Sequence, residues 1–391
     1  MDIDARIKRR QRRDESPRLV QDYEVLSPVA HIDNPSDRGP IFEQLLDYLD
    51  PVFDGSLPPN AYVHGPAGAG KSAVVTALFN HMERLSTETR SVIYTSTRTG
   101  LSTSPSFIYV DTRETPTEFS FYHRVLSALV SESVPEHGIS TEEIRARLHK
   151  VLGGSRTGVV IAVDHIGESD NTTAETLVEL FAGLPSNISW VAIGRLNPEE
   201  TVLTTYTADS IHIDRYRQQV LVDVLMTRAS KALSRQALNH ELARKIADWA
   251  DGNAHDALAA LFIAADRATR ADRQRLSEQD IEAGTQEVPR PSVSLGRVLA
   301  LPANKQLVLR NLVDLDGAQR ESVTATTEAI SNCPDIDLSS GTVKRFLYEM
   351  AENGIVERVQ SDQRSGKGRP PSRIELLFPP TVFCRLYDLQ Q

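Results

Sequence analysis

Residues 60–85 read NAYVHGPAGAGKSAVVTALFNHMERL: a short apolar segment, a glycine-rich turn and a long amphipathic stretch. The turn GPAGAGKS matches a phosphate-binding loop between a strand and a helix. Glycines let backbone N–H groups approach an anion, and the N-terminal end of the following helix carries positive partial charge. The segment therefore predicts an α/β protein that binds a nucleoside phosphate.

The loop supplies most of the candidate site. With ATP or ADP as the expected nucleotide, we expect Lys71 to reach the β- and γ-phosphates and the Ser72 hydroxyl to hold Mg²⁺. The residues expected to contact the nucleotide here are Gly65, Pro66, Ala67, Gly68, Ala69, Gly70, Lys71, Ser72 and Ala73.

A P-loop protein also needs a carboxylate at a strand end to complete the metal shell. The apolar run VVIAVD (159–164) places Asp164 there, although a strand-end Asp can also be an ordinary helix cap. Glu168 would act on the attacking water only if the chain after Asp164 folds back. The predicted catalytic residues are Lys71, Asp164 and Glu168, with Ser72 and Asp164 as metal ligands.

The rest of the chain falls into three parts. Apolar strands alternate with helices up to residue 214, which predicts a parallel sheet wrapped by helices, with a Ser/Thr-rich insertion or hairpin at 86–105. Every segment from 216 to 283 has helical periodicity. After the linker EVPRPSVS, helices at 295–316, 321–331 and 339–353 precede two strands at 355–359 and 373–378.

This last part has the organisation of a winged helix. The helix that begins SSGTVKRFLYEM would be the recognition helix, and the loop GKGRPPSR would enter an A·T-rich minor groove. The predicted contacts to double-stranded DNA are Lys344, Arg345, Arg364, Lys367, Arg369 and Arg373, with Tyr348 nearby. A solvated basic loop on a protein-docking domain is the alternative.

Composition limits the classes of function. The chain has 43 Lys plus Arg, only eight of them Lys, against 53 Asp plus Glu, for a net charge of −10. Adaptation to high salt or a GC-rich genome would produce this balance. Residues 290–391 carry +1 and residues 1–17 contain a basic arm, so a polyanion would bind at the ends. Two cysteines, no signal peptide and no membrane-length apolar run favour the cytoplasm, in association with the nucleoid.

The order of these parts resembles the archaeal origin-recognition and cell-division-control replication initiators. The resemblance rests on RGPIFEQLLDYLDPVFDGSLPPNAYVHGPAGAGKS (38–72), on IHIDRYRQQVLVDVLMTRASKAL and on DGNAHDALAALFIAADRA. It implies an AAA-plus fold in which Tyr216, Arg228 and the sensor-2 position, His255, also contact nucleotide. It further implies binding to origin DNA and recruitment of a replicative helicase.

Three positions depart from the family pattern. His165 replaces the catalytic Glu, Gly194-Arg195 replaces the sensor-1 Asn, and His255 replaces the sensor-2 Arg, so we expect slow or absent ATP hydrolysis. Asn197 comes two residues after the expected Asn.

We therefore expect a basic arm (1–17), an AAA-plus base (18–215), a helical lid (216–288) and a winged-helix domain (295–391). The function implied is a nucleotide-switched replication initiator. Two alternatives remain at this point: a STAND-type signalling switch ATPase, and a transcription regulator derived from an initiator paralogue.

Overall fold

The computed structural model describes residues 18–31, 35, 38–95, 105–154, 158–168, 172–360 and 372–390. The chain divides into two compact units. The base unit comprises His31–Arg215, and the lid unit combines Met1–Ala30 with Tyr216–Gln391.

The base unit alternates strands and helices, as the sequence predicts. The first helix of the chain, α1 (Tyr23–Leu26), belongs to the lid unit. The elements of the base unit are α2 (Gly39–Phe53), β1 (Ala61–His64), α3 (Lys71–Thr95), β2 (Ser106–Asp111), α4 (Glu118–Leu129), α5 (Thr141–Gly154), β3 (Val159–Ile166), α6 (Ala174–Ala182), β4 (Ile188–Gly194) and β5 (Asp209–His212). Two 3₁₀ turns, Pro198–Glu200 and Val202–Thr205, connect β4 to β5.

In the described part of the chain, the base unit contains one five-stranded sheet in the order β2-β3-β4-β1-β5. Every neighbouring pair is parallel, so all five carboxyl ends lie at the same edge. Two apolar clusters pack against the sheet: one includes Leu49 and Val75 from α2 and α3, and the other includes Phe121, Ile144 and Leu177 from α4, α5 and α6. The expected parallel sheet with covering helices is confirmed.

The prediction of an insertion or hairpin at 86–105 is wrong where the structure describes the backbone. Helix α3 continues to Thr95. Residues 86–95 contain neither Gly nor Pro, and extending an existing helix requires no new nucleus, so polar composition alone does not end it. Residues 96–104 lie outside the described residues.

The lid unit is mostly helical. Its elements are α1 (Tyr23–Leu26), α7 (Gln218–Ala232), α8 (His240–Ala250), α9 (Ala254–Arg270), α10 (Glu278–Glu287), α11 (Leu295–Leu299), α12 (Ala303–Asp314), α13 (Val323–Ser331), α14 (Ser340–Glu352), β6 (Val356–Gln360), β7 (Ser372–Leu376) and α15 (Pro380–Gln390).

Two details differ from the sequence-based expectations. The single helix expected at 295–316 is two helices, because Pro302 stands between α11 and α12 and lacks the N–H that a continuous helix needs. Helix α15 was not predicted, although the apolar residues of PTVFCRLYDLQ have helical spacing.

One hydrophobic core extends through the lid unit, from Leu19 to Leu386. We assigned residues 18–215 to the base from the sequence, but the structure packs the described residues up to Ala30 with the lid. Val20 forms an antiparallel bridge to Leu233, and Leu26 is fully buried in the lid core.

A buried carboxylate joins three parts of the lid unit. Asp266 on α9 is 1% exposed; it accepts hydrogen bonds from the Tyr23 hydroxyl at 2.9 Å and from Arg385 Nη2 on α15 at 2.8 Å. Arg270 Nε lies 2.7 Å from its other oxygen. The N-terminal segment, the lid helices and the C-terminal helix are therefore fastened to each other within this unit.

Residues 303–376 have the order of a winged helix. Helices α12, α13 and α14 precede the antiparallel pair β6–β7, in which Val356 is opposite Leu376 and Gln360 is opposite Ser372. The polar loop 361–371 lies outside the described residues. Within the described ranges, no helix has the length and apolar character needed to cross a membrane.

Candidate functional site

The glycine-rich loop follows β1 at the carboxyl edge of the sheet. Gly65 has φ +147°, and a Cβ built there would lie 2.2 Å from the backbone oxygen of Ile213. Gly68 and Gly70 also have positive φ angles, +71° and +83°. Only glycine adopts this series of conformations without strain, so the sequence folds locally as the P-loop pattern predicts.

The Lys71 side chain folds back onto its own loop. Its Nζ donates hydrogen bonds to the carbonyl oxygens of Gly65 at 2.7 Å and Pro66 at 2.8 Å. Burial lowers the pKa of Lys71 to about 8, although Asp164 raises it in part. The ammonium group therefore lies inside the loop, beside a carboxylate from β3.

The two predicted metal ligands are brought together. The Ser72 hydroxyl is close enough to the Asp164 carboxylate to lower its pKa, and this carboxylate accepts a 2.5 Å hydrogen bond from the Tyr109 hydroxyl. Burial alone would raise the pKa of Asp164, but nearby His165 and these two hydroxyl groups lower it below its ordinary value. Asp164 is thus an ionised carboxylate two strands from the P-loop, since β4 lies between β3 and β1.

The chain after Asp164 does fold back. His165 has φ +67°, a left-handed conformation that is uncommon for a residue other than glycine. The turn brings Glu168 to His165, with 3.1 Å between Glu168 Oε1 and His165 Nδ1, and to Arg195, whose Nη2 is 2.8 Å from the same oxygen. Glu168 Oε2 is buried and has no hydrogen-bond partner among the residues that the structure describes.

Opposite charges in this cluster lie next to each other and shift each other's pKa values. Burial would lower the pKa of His165, but the Asp164 charge and the Glu168 hydrogen bond raise it above its ordinary value. Burial would raise the pKa of Glu168, but His165 and Arg195 lower it. Each group therefore stabilises the charged form of its neighbours.

A second carboxylate, which was not predicted from the sequence, lies beside this cluster. Asp111 ends β2, is in register with Asp164, and pairs with Arg113 at 2.5 Å. Its Oδ2 lies 3.8 Å from His165 Nε2. The signal was present, because SFIYVD and VVIAVD are consecutive apolar strands that both end in Asp.

The three predicted nucleotide contacts from the lid have partners within the lid unit. Tyr216 is buried in its core. Arg228 donates to the carbonyl oxygen of Val25 at 2.7 Å and to that of Ala30. His255 Nε2 accepts the Leu295 N–H at 3.0 Å. Their contact with nucleotide stays a prediction.

The described DNA candidates lie on the surface of α14 and β7. Lys344, Arg345 and Arg373 are exposed. The structure adds Arg358, which lies 4.4 Å from the centroid of the Tyr348 ring. Arg364, Lys367, Arg369 and the basic arm lie outside the described residues.

Comparison with known proteins agrees with this geometry. Residues 37–191 match the family model described as an AAA ATPase domain. The ORC1-type DNA replication protein 1 of Aeropyrum pernix is 27% identical over 355 residues, covering 84% of this chain and 85% of the relative. The corresponding Thermococcus kodakarensis protein is 22% identical, covering 88% and 85%.

The chain contains an AAA ATPase domain and is homologous to the archaeal ORC1-type proteins. The resemblance stated from the sequence is thereby confirmed.

Solved structures show the same fold over almost the whole chain. The Aeropyrum pernix ORC1 protein in complex with DNA superposes with a TM-score of 0.59 at 22% identity, covering 94% of this chain and 96% of that one. Cdc6p from Pyrobaculum aerophilum gives 0.54 at 19% identity, covering 95% and 99%.

The first prediction concerns the backbone of the AAA domain. We expect Gly65→Ala to abolish nucleotide binding, because the added Cβ would overlap the Ile213 carbonyl at a φ that alanine rarely adopts. Calorimetric titration with ADP measures the loss. Gly39→Ala is the matched control, since nothing lies within 4 Å of its Cβ position. Unchanged ADP affinity in Gly65→Ala would contradict the described loop.

The second prediction concerns pH. A bound phosphate raises the pKa of Lys71 above the value of about 8 that burial gives it in the nucleotide-free protein. Binding is therefore strongest below pH 8 and weakens as the pH rises through that value, with proton uptake near pH 8.5. Phosphate groups, with a second pKa of about 6, are already ionised there.

Calorimetry at pH 8.5 in two buffers of different ionisation enthalpy counts the protons. Lys150→Ala, which removes an exposed lysine of the same unit, should leave the uptake unchanged. Absence of proton uptake in the wild type would show that Lys71 does not change its charge on binding.

Proposed function

We propose that this protein is a replication initiator that binds origin-type double-stranded DNA and whose DNA affinity depends on bound ATP or ADP. The observation that carries the proposal is the extent of the likeness. The relatives named as DNA replication proteins align over both the AAA domain and the C-terminal helices, at 84% and 90% of this chain in two cases.

The AAA domain fits a nucleotide with Mg²⁺. Ser72 and Asp164 supply a hydroxyl and an ionised carboxylate, the hard oxygen ligands that Mg²⁺ prefers. Bound Mg²⁺ would neutralise phosphate charge. Lys71 would pair with the phosphates, and the backbone of residues 65–70 would surround them.

Slow hydrolysis follows from the position of Glu168. We propose that Oε2 of this side chain orients the attacking water, because an unpaired buried carboxylate oxygen is costly unless a water or ligand pairs it. Its other oxygen is already engaged by His165 and Arg195, which restrains the carboxylate as a base. His165 itself occupies the position next to Asp164.

DNA binding is proposed for α14 and the β6–β7 ribbon. Lys344 and Arg345 are exposed on one helix, and Arg358 stacks on Tyr348 beside it. Residues 290–391 carry +1 while the rest carry −11, so this is the part of the chain that repels a polyanion least. Arg364, Lys367, Arg369 and Arg373 would extend the contact into the minor groove.

The homology favours an initiator over a STAND-type switch or a transcription regulator, since the named relatives are replication proteins. Recruitment of a replicative helicase is the further step we propose from the same likeness.

Charge removal tests the DNA surface. We expect Lys344→Ala and Arg345→Ala each to weaken binding to an A·T-rich duplex and to reduce the slope of log affinity against log salt by about 1, as the loss of one phosphate contact does. Fluorescence anisotropy across a salt series measures both. Lys231→Ala removes an exposed lysine from α7 and should leave both quantities unchanged.

An affinity and slope that stay at wild-type values in both α14 variants would contradict the proposed surface. Absence of specific DNA binding by the wild-type protein with ATP, ADP or no nucleotide would overturn the proposed function itself.

A further inference from the structure

Arg38 is a buried arginine at the start of α2 that none of the sequence motifs assigns to the site. It is 9% exposed, although it carries a charged guanidinium group. Its Nη2 donates to the backbone oxygen of Ala69, in the P-loop, at 2.5 Å and to that of Asp214 at 3.0 Å. Burying a charge is costly unless it is hydrogen-bonded, and these two carbonyl oxygens supply partners for the guanidinium group.

The contact with Ala69 fixes the orientation of the next peptide group. The peptide bond is planar and trans, so the carbonyl oxygen of Ala69 and the N–H of Gly70 point in opposite directions. Arg38 holds the oxygen on its own side. The Gly70 N–H must then point to the other side, where the positive φ angles of Gly68 and Gly70 curve the loop.

The neighbouring carbonyl groups are held in a similar way. Lys71 holds the oxygens of Gly65 and Pro66. Two cations therefore engage three carbonyls of one short loop. A loop whose carbonyls are turned away presents its N–H groups, the arrangement that binds a phosphate.

The contact with Asp214 ties the loop to the end of the base unit. Ile213 N donates to the His64 oxygen at 2.9 Å, and Gly65 packs on the Ile213 carbonyl. Residues 213 and 214 lie at the end of the base unit, separated only by Arg215 from Tyr216, where the chain returns to the lid unit. The backbone that leaves the base unit is thus attached to the loop on both sides.

We propose that Arg38 is a positioning residue of the phosphate cradle: it orients the Gly70 N–H toward the phosphates by holding the Ala69 carbonyl, and it fixes the loop to residues 213–214. The proposal rests on nucleotide binding by the AAA domain. The group recognised is the diphosphate of ADP or ATP.

The test uses Arg38→Ala and Arg38→Lys in the full chain. We expect Arg38→Ala to weaken ADP binding about ten- to a hundred-fold, the effect of losing hydrogen bonds to a charged group. Arg38→Lys should recover part of the affinity, because an ammonium group can still donate to the Ala69 oxygen. Arg124→Ala, which removes an exposed arginine from α4, is the matched control.

The direct readout is the amide signal of Gly70. In protein labelled with ¹⁵N-glycine, the signal is assigned by its loss in Gly70→Ala. In the wild type, the Gly70 amide signal should move downfield when ADP binds. In Arg38→Ala, the change between the ADP-free and the ADP-saturated protein should be much smaller. A purely structural role would not single out this amide.

The outcomes separate the two proposals. If Arg38→Ala binds ADP with wild-type affinity and shows the same ADP-induced Gly70 shift as the wild type, the role of Arg38 is overturned while nucleotide binding stands. If Arg38→Ala does not fold, Arg38→Lys decides the question through the same Gly70 shift. Failure of the wild type to bind ADP would instead overturn the proposed nucleotide switch.

Discussion

The rest of the site depends on how the carbonyl groups of residues 65–70 are held. Lys71 donates hydrogen bonds to the carbonyl oxygens of Gly65 and Pro66, and Arg38 donates one to that of Ala69. These contacts use buried positive charge to turn backbone oxygens away from the space that an anion would enter. Gly65 is required for the same reason, because its backbone packs on Ile213 with no room for a side chain.

The opposite side of the site depends on one left-handed residue. His165 replaces the glutamate that the family pattern has after Asp164, and its φ of +67° reverses the chain direction. The reversal returns a carboxylate, Glu168, but in a form already paired with His165 and Arg195. The carboxylate nearest to this turn therefore stands three positions after His165 and is restrained by two partners, which is the basis of the slow hydrolysis we propose.

The elements whose sequence pattern is local could be predicted from the sequence alone. The P-loop, the parallel strands and the helical lid were predicted because glycine spacing and apolar periodicity are readable within one segment. The proximity of Asp111 to Asp164, the pairing of Glu168 with Arg195 and the contact of Arg38 with Ala69 were not predicted. Each joins residues far apart in the chain, so strand order and side-chain direction decide them.

We propose that nucleotide binding and DNA binding are coupled through the lid unit. The lid helices and the C-terminal helices share one core, and Asp266 on α9 accepts a hydrogen bond from Arg385 on α15. The proposed nucleotide switch is tested by the dissociation constant for an origin-like A·T-rich duplex, measured with saturating Mg²⁺·ATP and with saturating Mg²⁺·ADP. A nucleotide switch of this kind gives different dissociation constants with ATP and with ADP, because linkage requires differential affinity. Equal constants, with both nucleotides bound, would contradict it.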